Sequence, residues 1–296
     1  MASKAPAGRD RSALVLCGGG SHGALEVGFA RALYEAGHRP DMILGTSIGA
    51  LNGAFLAAGV EFAGLERLWR EFRLWKAVRP NWRWPLHPRT APGFLNLAPL
   101  RRILRRALPV TRFEDLKIPL SIVTTDLASG MACYWEGEGD LIEPLLASMS
   151  LPGVFPPTEL DGRLHVDGGI ADNAPLGRAK SLGATRAFMI ECACADPCAR
   201  PPSGWSGIVG RSFEIAMHRK HALELDVHCA AMEVFRVVPR LDIAPSLLSF
   251  ASSDALIAVG YEQTRAALTE WPHSAIHARR RSAASGPRPS NWESLA

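Results

Sequence analysis

No stretch of this 296-residue chain approaches the roughly 20 consecutive apolar residues a membrane-spanning helix needs, so any membrane contact is expected to be peripheral. No secretory signal is visible either. Lys4, Arg9 and Arg11 precede only Ala13-Leu14-Val15-Leu16-Cys17, too short for a signal-peptide core and running straight into glycines. Excess charge of one sign is equally scarce: Lys+Arg of 33 against Asp+Glu of 29 leaves a formal +4, too slight to imply nucleic-acid binding without a concentrated basic face. The six cysteines, Cys17, Cys133, Cys192, Cys194, Cys198 and Cys229, lack the even spacing of a disulfide framework, which favours a reducing, cytoplasmic compartment. Cys192-x-Cys194-x-x-x-Cys198 has no second Cys or His pair at zinc-finger spacing nearby, so no metal is assigned. There is no internal repeat.

What the chain does have is alternation. Short β-type runs at Ala13 to Cys17, Met42 to Leu44, Leu120 to Thr125, Ala187 to Cys192 and Glu233 to Val238 alternate with helical runs. That is the signature of an α/β fold whose mainly parallel central sheet is covered on both faces, a three-layer α/β/α arrangement. One catalytic domain is expected over 12–271, between a disordered N-terminal tail (1–11) and a flexible basic C-terminal tail (272–296). A helix from Ala24 to Ala36 should stop at Gly37, where a left-handed cap costs glycine least. A long helix is expected from Arg211 to about Ala231. Residues 69–99 break the alternation: Trp69, Trp75, Trp82 and Trp84 sit among prolines and arginines without a sustained period, as an inserted cap would. After it, Leu100, Ile103, Leu104, Ala107 and Leu108 share one helical face and Arg101, Arg102, Arg105 and Arg106 the other. This cationic helix either docks by its apolar stripe or, with the neighbouring indoles, meets a lipid surface.

The pentapeptide Gly45-Thr46-Ser47-Ile48-Gly49 lies between the apolar run at Met42 and a helical run, the setting of a nucleophile elbow. A serine hydroxyl is a poor nucleophile alone, so Ser47 needs a base and a place for oxyanion charge. Gly18-Gly19-Gly20-Ser21-His22-Gly23 follows the first strand and opens the first helix, where exposed N–H groups favour an anion. Gly18, Gly20 and Gly23 fit a dinucleotide fingerprint, but that reading needs an acidic residue ending the second strand, and Asp41 precedes it. No Gly-Lys-Ser/Thr closes the run as a P-loop would. The alternative is an oxyanion hole from the N–H groups of Gly18, Gly19, Gly20 and Ser21, facing the same cleft as Ser47. For a base, His165, His218, His221, His273 and His277 are poorly placed. Asp167, ending a short strand before Gly168 and Gly169, is better.

These three elements, in this order, resemble the patatin-like phospholipases. So do Thr125-Asp126-Leu127-Ala128-Ser129-Gly130, the segment Ala147-Ser148-Met149-Ser150-Leu151-Pro152-Gly153-Val154-Phe155-Pro156-Pro157, and Asp172-Asn173-Ala174-Pro175. The resemblance covers about 13–190. It implies a serine hydrolase that cleaves acyl esters of phospholipids or other lipids through a Ser47–Asp167 dyad, without a cofactor. Nucleotide-dependent catalysis and a catalytically inactive lipid-binding module are the alternatives. Where the family usually carries Arg, this chain has His22, which turns a fixed charge into a titratable one.

Overall fold

Ser12–Leu16 (β1) is buried from Ala13 onward, the continuous apolar run that a strand covered on both faces requires. The chain reaches helix α1 (Ala24–Glu35) through the glycine run and a 3-10 turn at Gly20–Gly23. It returns as β2 (Met42–Thr46) and leaves at once into α2 (Ile48–Ala57). Helices α3 (Phe62–Glu71) and α4 (Leu74–Ala77), the short strands β3 (Arg79–Pro80) and β4 (Leu95–Asn96), and α5 (Ala98–Ala107) follow. Then come β5 (Leu120–Asp126), β6 (Ala132–Trp135), α6 (Ile142–Ser148), β7 (Thr158–Leu160) and β8 (Arg163–Asp167). The chain ends through α7 (Leu176–Ser181), β9 (Arg186–Ile190), α8 (Gly204–Cys229), β10 (Glu233–Val237) and α9 (Ser253–Ala284). This computed structural model describes residues 10–81, 93–192, 204–229, 232–241 and 249–284.

The main sheet has the order β10-β9-β1-β2-β5-β8-β7, with β6 also paired to β5. The first five of these strands are parallel, while β8 runs antiparallel to β5 and β7 to β8. It is therefore a mixed α/β fold around a mainly parallel sheet with helices on both faces. Alternate residues of β1 serve different cores: Leu14 and Leu16 pack with α1 and α2, whereas Ala13 and Val15 pack with Ala174, Leu176 and Leu225 on the other side. Helices α1 and α9 cross in close contact at Gly28 and Gly260; a Cβ on Gly28 would lie 2.0 Å from the Ile257 carbonyl oxygen. Further along α9, Trp271 packs among Phe188, Phe235 and His38.

The pairing of β5 positions the site. Ile122 to Thr125 pair with β6 on one edge, and the other edge is shared: β2 runs along it as far as Thr46 opposite Val123, and β8 runs the opposite way to Asp167 opposite Thr124. Two strands of opposite direction thus end head to head. The residues that follow β2 and finish β8 are forced together.

Several expectations need adjustment. Arg11 is not tail, since its carbonyl accepts the N–H groups of Thr185 and Arg186 and its guanidinium donates to the Leu182 carbonyl at 2.8 Å. The last helix does not stop at Trp271 but continues through Ala284, a stretch rich in the strong helix formers Ala and Arg. Residues 1–9 and 285–296 lie outside the described residues. So do 82–92, with Trp82 and Trp84, which leaves only the flanks of the expected cap in view. Of those flanks, Trp69 belongs to the core at 6% exposure, while Trp75 is 73% exposed.

Candidate active site

Ser47 sits at φ 53°, ψ −121°, a left-handed conformation that costs a side-chain-bearing residue on the order of 1–3 kcal/mol. The strain persists because the elbow is locked on both sides. Gly45 and Gly49 let α2 fold back onto the strands: a Cβ on Gly49 would lie 2.4 Å from the Leu16 carbonyl oxygen, and one on Gly45 2.6 Å from the Ala50 Cα. The Ser47 backbone N–H donates to Ser148 Oγ at 2.8 Å, and Thr46 Oγ1 donates to the Asp172 carbonyl at 3.0 Å.

Ser47 Oγ donates to Asp167 Oδ2 at 2.7 Å. The other carboxylate oxygen, Oδ1, accepts the Gly169 N–H at 2.8 Å. The Asp167 backbone is fixed by its own N–H on the Ser150 carbonyl and by Thr125 Oγ1, which donates to its carbonyl at 2.8 Å. Gly168 allows the turn after it to press on β5, where a Cβ would lie 2.2 Å from the Val123 carbonyl oxygen. Burial pushes the Asp167 carboxyl up to about 6, against the opposing pull of hydrogen bonds from Ser47 and Gly169.

The glycine loop abuts this pair, since a Cβ on Gly18 would lie 3.2 Å from the Ser47 Cβ. Of the four N–H groups expected as oxyanion donors, that of Gly18 is engaged by Asn173 Oδ1 at 3.0 Å, and Asn173 Nδ2 donates back to the Gly18 carbonyl at 3.4 Å. Gly18 therefore ties the loop to the segment after Asp167. His22 is buried, and its Nδ1 donates to the Gly19 carbonyl at 3.2 Å, so the ring props the loop from within.

The roles of Asn173, Ser148 and His22 escaped sequence reasoning. Asn173 and Ser148 stand in the quoted motifs, which was the available signal. Of the histidines weighed as a base, His165 is engaged away from Ser47: its Nδ1 shares a hydrogen bond with Thr124 Oγ1 at 3.0 Å, and Thr124 Oγ1 accepts from Trp135 Nε1 at 2.7 Å. Burial holds His165 below the ordinary imidazole range. Asp41, the acidic residue weighed for a ribose, sits at the opposite end of the second strand and accepts the Ser12 N–H at 2.8 Å. A ribose could not reach it from the glycine loop.

A family model described as patatin-like phospholipase matches residues 14–180. Patatin-like phospholipase domain-containing protein 6 of Homo sapiens is 35% identical over 189 residues, covering 62% of this chain but only 13% of that protein. An uncharacterized NTE family protein of Mycobacterium tuberculosis is 34% identical over 182 residues, 61% of this chain and 48% of its own length. Among solved structures, VipD from Legionella pneumophila covers 89% of this chain and 67% of that one with a TM-score of 0.52 at 15% identity, a likeness of fold alone. Matched over more than half its length by the family model, the chain belongs to the patatin-like phospholipases.

Proposed function

We propose that this protein is a lipid acyl hydrolase, cleaving carboxylic esters of phospholipids or related lipids through a Ser47 acyl-enzyme with Asp167 as general base. The observation that carries the reading is the 2.7 Å hydrogen bond from Ser47 Oγ to a buried carboxylate, made at a strained elbow beside a glycine loop. In acylation, Oγ attacks the ester carbonyl carbon as its proton passes to Asp167 Oδ2. The tetrahedral intermediate then expels the alcohol, which leaves with that proton. Water repeats the sequence on the acyl-enzyme and releases the acid. The N–H groups of Gly19 and Gly20, on the loop held by His22 and Asn173, take the oxyanion role.

A carboxylate near 3.9 would be a weak base, so the lift to about 6 by burial is chemically useful: Asp167 stays ionised at neutral pH but holds a proton better. The expected kcat/KM for a p-nitrophenyl ester rises with pH through about 6. Ser47→Ala and Asp167→Asn should each lower turnover by at least roughly a thousandfold without unfolding the chain. A fluorophosphonate probe should label Ser47 in the wild type and nothing in Ser47→Ala. Full turnover by either variant overturns the dyad.

No helix among the described residues is long and apolar enough to cross a membrane. Access to a lipid aggregate would therefore be peripheral, and Arg102 and Arg106, exposed on α5, are suited to an anionic surface. Their neighbours Arg101 and Arg105 are paired instead with Glu143 and Asp140.

A further inference from the structure

We propose that the apolar cavity lined from Ile48, the residue after Ser47, holds the substrate's acyl chain and that the Phe72–Phe250 pair is its end wall, which sets the chain length accepted. The inference rests on the acyl-hydrolase reading above. The cavity, a space of about 80 Å³ partly open to solvent, starts on α2 at Ile48, the residue after Ser47, and Ser47 itself does not line it. Ile48 and Leu51 line it, and Leu51 lies one helical turn beyond Ser47 on the same face. Ile48 also covers the turn from the glycine loop: a Cβ on Gly23 would lie 2.7 Å from its Cγ1. The first wall of the cavity is thus shared with both the elbow and the loop expected to hold the oxyanion.

The lining offers a ligand almost nothing polar. Its one amide, Asn52, is spent elsewhere: Nδ2 donates to the Gly23 carbonyl and to Glu26 Oε2, each at 2.8 Å, while Oδ1 accepts Trp69 Nε1 at 2.8 Å. An alkyl chain fits such walls and a polar group does not. Leu68 and Ile103, each 37% exposed, give the cavity an apolar edge toward solvent.

At its other limit the cavity meets a second, wider cleft bordered by Trp75, Val78 and the Arg70–Asp254 ion pair. Phe72 and Phe250 line both spaces. Their rings stand edge to face, with centroids 4.7 Å apart at 64°, and Phe250 also leans on Trp69 at 5.8 Å. One pair of rings is therefore the partition. A chain that reaches it must stop or displace it, and removing a ring joins the two spaces.

The test is binding, so that it does not depend on turnover. The full chain carrying Ser47→Ala is titrated with cis-parinaric acid, and octanoate, laurate and palmitate are used to displace it. Affinity should rise roughly fourfold per buried methylene until the chain meets the rings, then level off. Phe250→Ala, with Phe72→Ala as the second variant, should favour palmitate over octanoate by at least roughly tenfold more than the parent, the gain of about two further methylenes. Leu51→Trp should weaken every fatty acid. A chain-length profile unchanged in both ring variants overturns the wall, and absence of parinarate binding overturns the cavity. Retained binding with no ester turnover by the wild type overturns the hydrolase reading alone.

Discussion

Glu26 and Asp167 are two buried carboxyls raised by the same force in two differently built regions. On α1, Glu26 is 1% exposed and burial pushes it to about 8, against hydrogen bonds from Asn52, Cys192 and Cys17. It is a neutral acid at pH 7, set in a network that ties α1 to α2 and, through Trp69 Nε1, to α3. Asp167 is 6% exposed, is raised only to about 6, and faces a hydroxyl instead of an amide. Desolvation alone makes a proton holder. Desolvation where two opposed strands end on one edge of β5, with a serine at the meeting point, gives the proposed base in contact with the proposed nucleophile.

The contrast breaks first at Asn52. Asn52→Ala would leave the Gly23 carbonyl, Glu26 and Trp69 Nε1 each short of a buried partner, so a stability loss of about 3 kcal/mol is expected in urea denaturation. Glu26→Gln should cost less than about 1 kcal/mol at pH 7, since the carboxyl it replaces is already uncharged. Equal losses in the two variants would show that the network, as drawn, does not hold these helices.

Asp167 should respond with the opposite sign. Its folded carboxyl binds a proton more tightly than the ordinary 3.8, so the folded state carries more protons between that value and about 6. Stability falls as pH rises through this window. Asp167→Asn removes the buried charge and should raise the melting temperature by about 5 °C at pH 8, with the gain vanishing below pH 4. A gain that did not vary with pH would mean that the desolvation of this carboxylate is not its source.

Much of this was legible in the sequence, because it was local. The five parallel strands announced themselves as short apolar runs, and α1 ends before Gly37, whose φ is +88°. Ser47, Asp167 and their glycines could be named because tight turns demand particular residues. What was hidden depends on distant register. Nothing near Gly18 signals that its N–H would be taken by Asn173, 155 residues away, in place of an oxyanion. Trp69 read as one of a cluster of cap indoles, yet its N–H found Asn52 and its ring found the core. The antiparallel β8, which brings the Asp167 carboxylate to Ser47 Oγ, is too short for its direction to show in its residues.

The smallest expected effect separates the two halves of the proposed dyad. Asp167 has a negative φ, at φ −48° and ψ 129°, outside the left-handed region, so its cost lies in burial. The cost at Ser47 lies in the backbone, where φ 53° with ψ −121° crowds the Cβ. Replacing the hydroxyl alone, as in Ser47→Ala, keeps that crowding, whereas Ser47→Gly removes it. The glycine variant should be the more stable by about 1 kcal/mol in denaturant unfolding, even after the extra freedom glycine gives the unfolded chain. Because both variants lack the hydrogen bond to Asp167, that bond cancels from the difference. Equal stabilities would place the elbow's strain in the surrounding helix packing and not at Ser47.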